Sequence, residues 1–111
     1  MNSVLPDPIK KLPKADISLN GLNAFISQSK NHQILFMEFT EDAEIPEHSH
    51  ESQWEIVLEG TVEVWIDEKY HKFSKGDRFY IPAGAKHYAT IPAGYASIAF
   101  FNEESRYKIK D

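Results

Sequence analysis

The sequence contains no cysteine among its 111 residues. Disulfide bonds and thiolate metal sites are therefore excluded, and any metal ion has to be held by nitrogen and oxygen donors. Long apolar runs are also missing, since segments such as residues 34–37 (Ile-Leu-Phe-Met) are far shorter than a membrane span. We therefore expect no membrane partner.

Basic charge is scarce in this chain. Lysine and arginine number 12 against 17 acidic residues, which leaves a formal net charge of -5 at pH 7. Because phosphate binding needs a basic surface, nucleic acid is not an expected partner. The first residues show neither the charged nor the apolar region of a secretory signal, so we expect a cytoplasmic protein.

The length predicts a single domain. Residues 1–31 carry three of the six prolines and little periodicity, which predicts an N-terminal arm with at most one short strand, at 15–19. From residue 32 onward, short apolar segments alternate with turn residues, a pattern typical of all-β domains. Residues 32–111 are therefore predicted to form one barrel that ends in a charged tail.

The barrel is predicted strand by strand. The acidic stretch 41–47 is predicted to be a loop, and an Ile-Pro-Ala-Gly segment that occurs twice predicts two turns with glycine at positive φ. The predicted strands cover residues 34–39, 53–59, 61–66, 70–73, 78–81, 86–91 and 95–101, with a further extended segment around the histidines near residue 50.

His48 and His50 are the most informative residues of the chain. Two side chains one residue apart on an extended backbone point to the same face, with Cα atoms about 6.5–7 Å apart. Both imidazoles can then reach one ion at about 2.0–2.1 Å. A third histidine, His87, follows a proline–glycine turn, and the three together predict a metal site inside a small β-barrel. His32 and His71 are predicted to be surface residues.

At these positions the sequence resembles the cupin superfamily, and in particular its small single-domain members. The second cupin motif, G-x5-P-x-G-x2-H-x3-N, is matched except at its last position by Gly76, Pro82, Gly84 and His87. The first, G-x5-H-x-H-x(3,4)-E-x6-G, lacks its leading glycine and is matched by His48, His50 and Gly60. The resemblance spans residues 32–101. It implies an all-β double-stranded β-helix, or jelly-roll barrel, and a site of three histidines and one oxygen ligand.

The oxygen ligand has two candidates on one strand. Gln53 keeps the six-residue spacing to Gly60, whereas Glu55 follows His50 by four intervening residues. Strand alternation puts both on the same face. Gln53 is the preferred metal ligand because its spacing to the glycine turn sets the register. Glu55 then becomes the catalytic candidate, as a general base or a holder of a substrate donor. Two alternatives for Glu55 stay open: it could be the metal ligand in place of Gln53, or it could be a strand residue that faces solvent.

An inward Gln53 leaves the alternating residues Trp54, Ile56 and Leu58 on the outer face. An exposed apolar strip of this kind usually marks an interface, which predicts a homodimer.

The donor set indicates one divalent ion per chain. Fe, Mn or Ni would keep open coordination positions, and Zn is a tetrahedral possibility. The resemblance implies a metal-dependent enzyme acting on a small polar molecule, by oxygenation, isomerisation, decarboxylation or lyase chemistry. A non-catalytic module that binds or senses a small molecule is the alternative, because a fold does not determine a function.

Overall fold

The computed structural model describes residues 3–110. Within them, one helix of four residues and nine strands are found: α1 Asp7–Lys10, β1 Leu22–Gln28, β2 Gln33–Phe39, β3 Ala43–His48, β4 Gln53–Glu59, β5 Thr61–Ile66, β6 Lys69–Ser74, β7 Arg78–Ile81, β8 His87–Ile91 and β9 Ala96–Phe101. No helix in this part of the chain is long and apolar enough to cross a membrane.

The strands form two antiparallel sheets. The larger has the order β1-β2-β9-β4-β7 and the smaller the order β3-β8-β5-β6. From β7 onward the chain alternates between the sheets, passing to β8 in the smaller and returning to β9 in the larger. The predicted fold class, an all-β jelly-roll barrel, is confirmed.

The core lies between the two sheets because each central strand turns alternate residues inward. On β4, Gln53, Glu55 and Val57 are buried, whereas Trp54 between them is 40% exposed. The predicted register of this strand is therefore confirmed. The main apolar cluster of the barrel includes Phe39, Val57, Val62, Val64, Phe79, Ile81, Ile91 and Tyr95.

The first 31 residues contain a strand, but at another place than the sequence predicts. The predicted strand at 15–19 is wrong, because Ala15 makes only an isolated bridge to Ile109. Instead β1 forms the edge of the larger sheet and pairs with β2 over its whole length. Three consecutive residues of β1, 24–26, are buried, so the strand lacks the alternation by which sequence reveals strands.

The acidic stretch 41–47 is likewise not a loop. Most of it belongs to β3, whose partner is β8, with Ala43 opposite Ile91 and Ile45 opposite Ala89. This segment of acidic and apolar residues is held extended by its pairing with a distant strand. A local pattern rich in carboxylates gives no sign of such a partner, and a register irregularity follows Ile45 before the strand ends.

The turn glycines fix how the strands connect. Gly60 joins β4 to β5 at φ +77°, and a Cβ atom at this position would lie 2.9 Å from the carbonyl oxygen of Gly94. Both predicted Ile-Pro-Ala-Gly turns are confirmed, with Gly84 at φ +80° and Gly94 at φ +96°. The first of these turns leads into β8, which begins at His87.

Candidate metal centre

The three histidines meet at one end of the barrel. His48 ends β3 and His87 begins β8, and the two are direct partners in the antiparallel ladder. His50 lies two residues beyond the end of β3, and its carbonyl oxygen accepts a hydrogen bond of 2.9 Å from the backbone N–H of Gly84. That bond ties the segment of the first motif to the turn of the second.

The side chains of these histidines converge. Ring centroids are 4.1 Å apart for His48 and His87, 4.7 Å for His50 and His87, and 5.1 Å for His48 and His50. One nitrogen from each ring lies within 4.8 Å of the other two, so the three form a group that could hold one ion. The grouping of these residues predicted from sequence is therefore present in the structure.

Each imidazole is oriented by the backbone. The Nδ1 atoms of His48, His50 and His87 lie 2.8, 2.7 and 2.9 Å from backbone carbonyl oxygens. A carbonyl can only accept, so each Nδ1 carries the hydrogen and each Nε2 keeps its lone pair. This is the arrangement by which proteins prepare histidine for a metal. Among residues 3–110 the buried Nε2 of His50 has no hydrogen-bond partner, as expected of a ligand atom.

Burial also favours the uncharged form of two of the rings, those of His87 and His50. Burial lowers the pKa of His87 to about 4, the charges of neighbouring groups add to the effect, and the bond to the Ala85 carbonyl opposes it. Burial is likewise the main cause of the lowered pKa of His50. Neutral imidazoles at pH 7 need release no proton before binding a cation. The donor set and its protonation therefore fit a divalent ion.

Gln53 and Glu55 reach the same interior from the opposite sheet. They are 8% and 5% exposed, so a solvent-facing position for Glu55 is wrong. The side-chain nitrogen of Gln53 donates to Glu55 Oε1 at 2.7 Å, and the Tyr95 hydroxyl donates to Glu55 Oε2. Burial raises the pKa of Glu55, and these hydrogen bonds, with the nearby Ser97 hydroxyl, act against that rise.

A cavity of about 100 Å³ adjoins these groups. The three histidines, Gln53, Glu55 and Tyr95 contribute its polar lining, and most of the remaining lining is apolar, from side chains that include Met37, Phe39, Val64, Ile81 and Ala89. The volume has room for several waters or one small molecule. A mostly apolar pocket with a few convergent polar groups is the usual form of a small-molecule site.

Sequence reasoning missed several residues of this region. Tyr95 is 1% exposed and holds the carboxylate of Glu55. Tyr95 directly follows the second Ile-Pro-Ala-Gly segment, whereas Ala85 follows the first. This difference in size between equivalent positions is the signal in the sequence that could have indicated Tyr95. Tyr107 lines the cavity from the tail, and no spacing in the sequence indicates that it does.

The other two histidines lie outside the group. His32 stacks on the ring of Phe100 with centroids 5.1 Å apart and bonds to the hydroxyl of Ser29 at 2.8 Å. His71 stacks on Phe73 at 5.7 Å. Neither joins the three histidines that could hold an ion.

Comparison with known proteins agrees with this geometry. The model of the cupin domain matches residues 35–94, which is more than half of the chain. The chain belongs to the cupin domain family. No curated protein matches it.

Solved cupin structures share the fold. An RmlC-like cupin from Shewanella frigidimarina NCIMB 400 is 25% identical, with a TM-score of 0.74 over 85% of this chain and 86% of that one. KdgF from Halomonas sp. is 22% identical, with a TM-score of 0.69 over 82% and 87%. Oxalate decarboxylase from Bacillus subtilis, described for its Mn(II) centers, is 23% identical, with a TM-score of 0.73. The match to it covers 87% of this cupin but only 29% of that chain.

Proposed function

We propose that this cupin binds one divalent metal ion, Fe, Mn, Ni or Zn, through His48, His50 and His87. The observation that carries the proposal is that Nδ1 of all three rings donates a hydrogen bond to a backbone carbonyl. The lone pair of each Nε2 is therefore available to a metal ion. Such a donor set suits these ions, which supply Lewis-acid chemistry when bound. The Mn(II) centers of a fold relative support the same class of ion.

Gln53 is our proposed fourth protein ligand. Its amide nitrogen is bonded to Glu55, which leaves the carbonyl oxygen as the end of the side chain available to an ion. Both oxygens of Glu55 already accept hydrogen bonds, from Gln53 and Tyr95. We therefore assign Glu55 to positioning Gln53, in place of the general-base role that the sequence suggests.

The proposed ligand of the cavity is a small molecule with an apolar body. The sequence predicts a small polar molecule, but the polar lining groups gather around the histidines, Gln53, Glu55 and Tyr95, and most of the remaining lining is apolar. Burial of an apolar body against side chains such as Met37 and Ile81 would contribute about 25 cal/mol per Å². We propose that the protein acts on this molecule as a metal-dependent enzyme.

A homodimer is proposed through the outer face of the larger sheet. Trp54 is 40% and Tyr80 57% exposed, and they are direct partners on β4 and β7. Phe100 lies opposite Trp54 on its other side, so aromatic residues of three strands adjoin one another. An apolar patch of this kind is typical of an interface. The cytoplasmic location stays a prediction.

The experiment that tests the function has two steps. Protein purified without a nickel affinity column is analysed for metals, and the metal found is then restored to metal-free protein. The loaded protein is incubated with a panel of small molecules, and their consumption is followed by NMR. One ion per chain and metal-dependent consumption are expected. Metal-dependent binding without consumption would establish a binding module instead, and failure to bind any of the four metals would contradict the proposal.

A further inference from the structure

The tail after β9 folds back against the cavity and is anchored there. The fully buried side chain of Gln33 accepts from the backbone N–H of Tyr107 at 3.0 Å and donates to its carbonyl oxygen at 2.8 Å. Beyond it, the Lys108 carbonyl accepts from the backbone of Asp16 at 2.7 Å. Arg106 therefore stands beside a residue whose backbone is held on both sides.

The guanidinium group of Arg106 lies against two aromatic rings that line the cavity beside the candidate metal centre. Its central carbon is 4.3 Å from the ring centroid of Tyr107 and 5.9 Å from that of Phe101, and both rings line the cavity. The ring of Phe101 meets that of His50 edge-on at 5.4 Å. Burial is the main cause of the lowered pKa of His50 and His87, and the positive charge of Arg106 contributes to both, for His87 after the charges of the other two histidines.

Arg106 lacks a protein partner for its charge. In the part of the chain that the structure describes, no carboxylate stands at ion-pair distance from it, the ion pair found being Lys75 with Glu59. Its buried Nε also has no hydrogen-bond partner among these residues. A buried donor without an acceptor is costly, so an acceptor supplied by a ligand would be stabilised here.

We propose that Arg106 determines specificity by binding the carboxylate of a small molecule whose apolar body enters the cavity. The planar fork of arginine matches a carboxylate with two parallel hydrogen bonds. The apolar lining next to Phe101 and Tyr107 suits a short hydrocarbon chain or ring. This inference deepens the proposed function, on which it rests for the statement that the ligand is a substrate.

The test compares butyrate with butyramide, which has the same shape and no charge. Each is titrated by NMR into metal-free and zinc-loaded protein. We expect the wild type to bind butyrate at least tenfold more tightly than butyramide, and Arg106→Met to lose this preference. Lys108→Met, which removes the same charge two residues away, is the matched control and is expected to keep it.

Arg106→Lys keeps the charge without the fork and is expected to weaken butyrate binding at least threefold while leaving butyramide unchanged. Arg106→Lys therefore tests the inference by itself if Arg106→Met does not fold. Equal binding of butyrate and butyramide by the wild type, unchanged butyrate binding in Arg106→Lys, or an equal loss in Lys108→Met would overturn the inference. So would inorganic phosphate binding as tightly as butyrate. Failure of all four metals to bind contradicts the proposed function alone, and failure of the Arg106 dependence contradicts this inference alone.

Discussion

The amide nitrogen of Gln53 donates to the carboxylate of Glu55 across 2.7 Å, between two residues on the inner face of β4. Residues two apart on a strand share a face, so this contact is set by the strand itself. It gives the two residues different tasks: the amide has one end occupied and one available, whereas the carboxylate has both oxygens bonded.

The two alanine variants are expected to differ in metal content. Gln53→Ala removes the proposed ligand oxygen and should weaken metal binding by tenfold or more. Glu55→Ala leaves that oxygen in place and should reduce affinity less, because only its orientation is lost. Isothermal titration of metal-free protein measures both. If Glu55→Ala removes the metal and Gln53→Ala does not, the assignment of the ligand is reversed.

Gln53→Glu should have opposite effects with and without metal. A second carboxylate would stand against Glu55 in a buried site, where two like charges raise each other's pKa and disfavour folding. The bound ion offsets this charge, so metal should restore the lost thermal stability and bind at least as tightly as in the wild type. A variant as stable as the wild type without metal would contradict the contact between the two side chains.

Tyr95→Phe removes the hydroxyl that donates to Glu55 and leaves the ring in place. A buried acceptor that loses its donor costs about 1–3 kcal/mol of unfolding free energy, as measured by denaturant titration. Tyr70→Phe is the matched control, because its hydroxyl also donates to a glutamate, Glu63, but at a residue that is 52% exposed, and a change within about 0.5 kcal/mol is expected. Equal effects of the two changes would show that the bond to Glu55 contributes nothing.

Stability of the metal-free protein should fall on acidification. The pKa of His87 is about 4 in the folded protein against an ordinary value of 6.5, so between these values the unfolded chain binds a proton that the folded one does not. The free energy of unfolding therefore decreases as pH falls from 6.5 towards 4. The raised pKa of Glu55 acts in the opposite direction, so variants isolate the histidine. His87→Gln should flatten the decrease, whereas His71→Gln should not. If the free energy of unfolding falls equally steeply with pH in both variants, His87 is not the cause of the decrease.

The outer face of the larger sheet predicts the oligomeric state. Light scattering should give about twice the chain mass of 12.8 kDa. Trp54→Lys should shift the protein to monomer, because it places a charge in the apolar patch. Tyr70→Lys, on the smaller sheet and at a side chain 52% exposed, should not. A monomer at all concentrations in the wild type would refute the dimer.

The parts of the fold that sequence predicts are those whose pattern is local. The strand β4 is predicted at its observed bounds, because polar and apolar residues alternate along it and Gly60 ends it. The strands β1 and β3 are missed, because one has consecutive buried residues and the other is acidic and depends on β8 for its shape.

The same distinction holds at the site. His48, His50 and His87 are found from spacing, since two short motifs carry them. Tyr95 and Arg106 are not, because their roles arise only when the last turn and the tail fold back onto β4 and the cavity. Contacts between residues so far apart in sequence leave no periodic mark in a single chain.

The most direct measurement of the metal site is the stoichiometry of zinc or manganese bound to metal-free protein. The wild type should bind one ion per chain, and His48→Ala, His50→Ala and His87→Ala should each lower the affinity at least tenfold, because the remaining donors cannot complete the shell. His32→Ala and His71→Ala should bind as the wild type does. Full occupancy after two of the three replacements, or no binding by the wild type, would contradict the three-histidine metal centre.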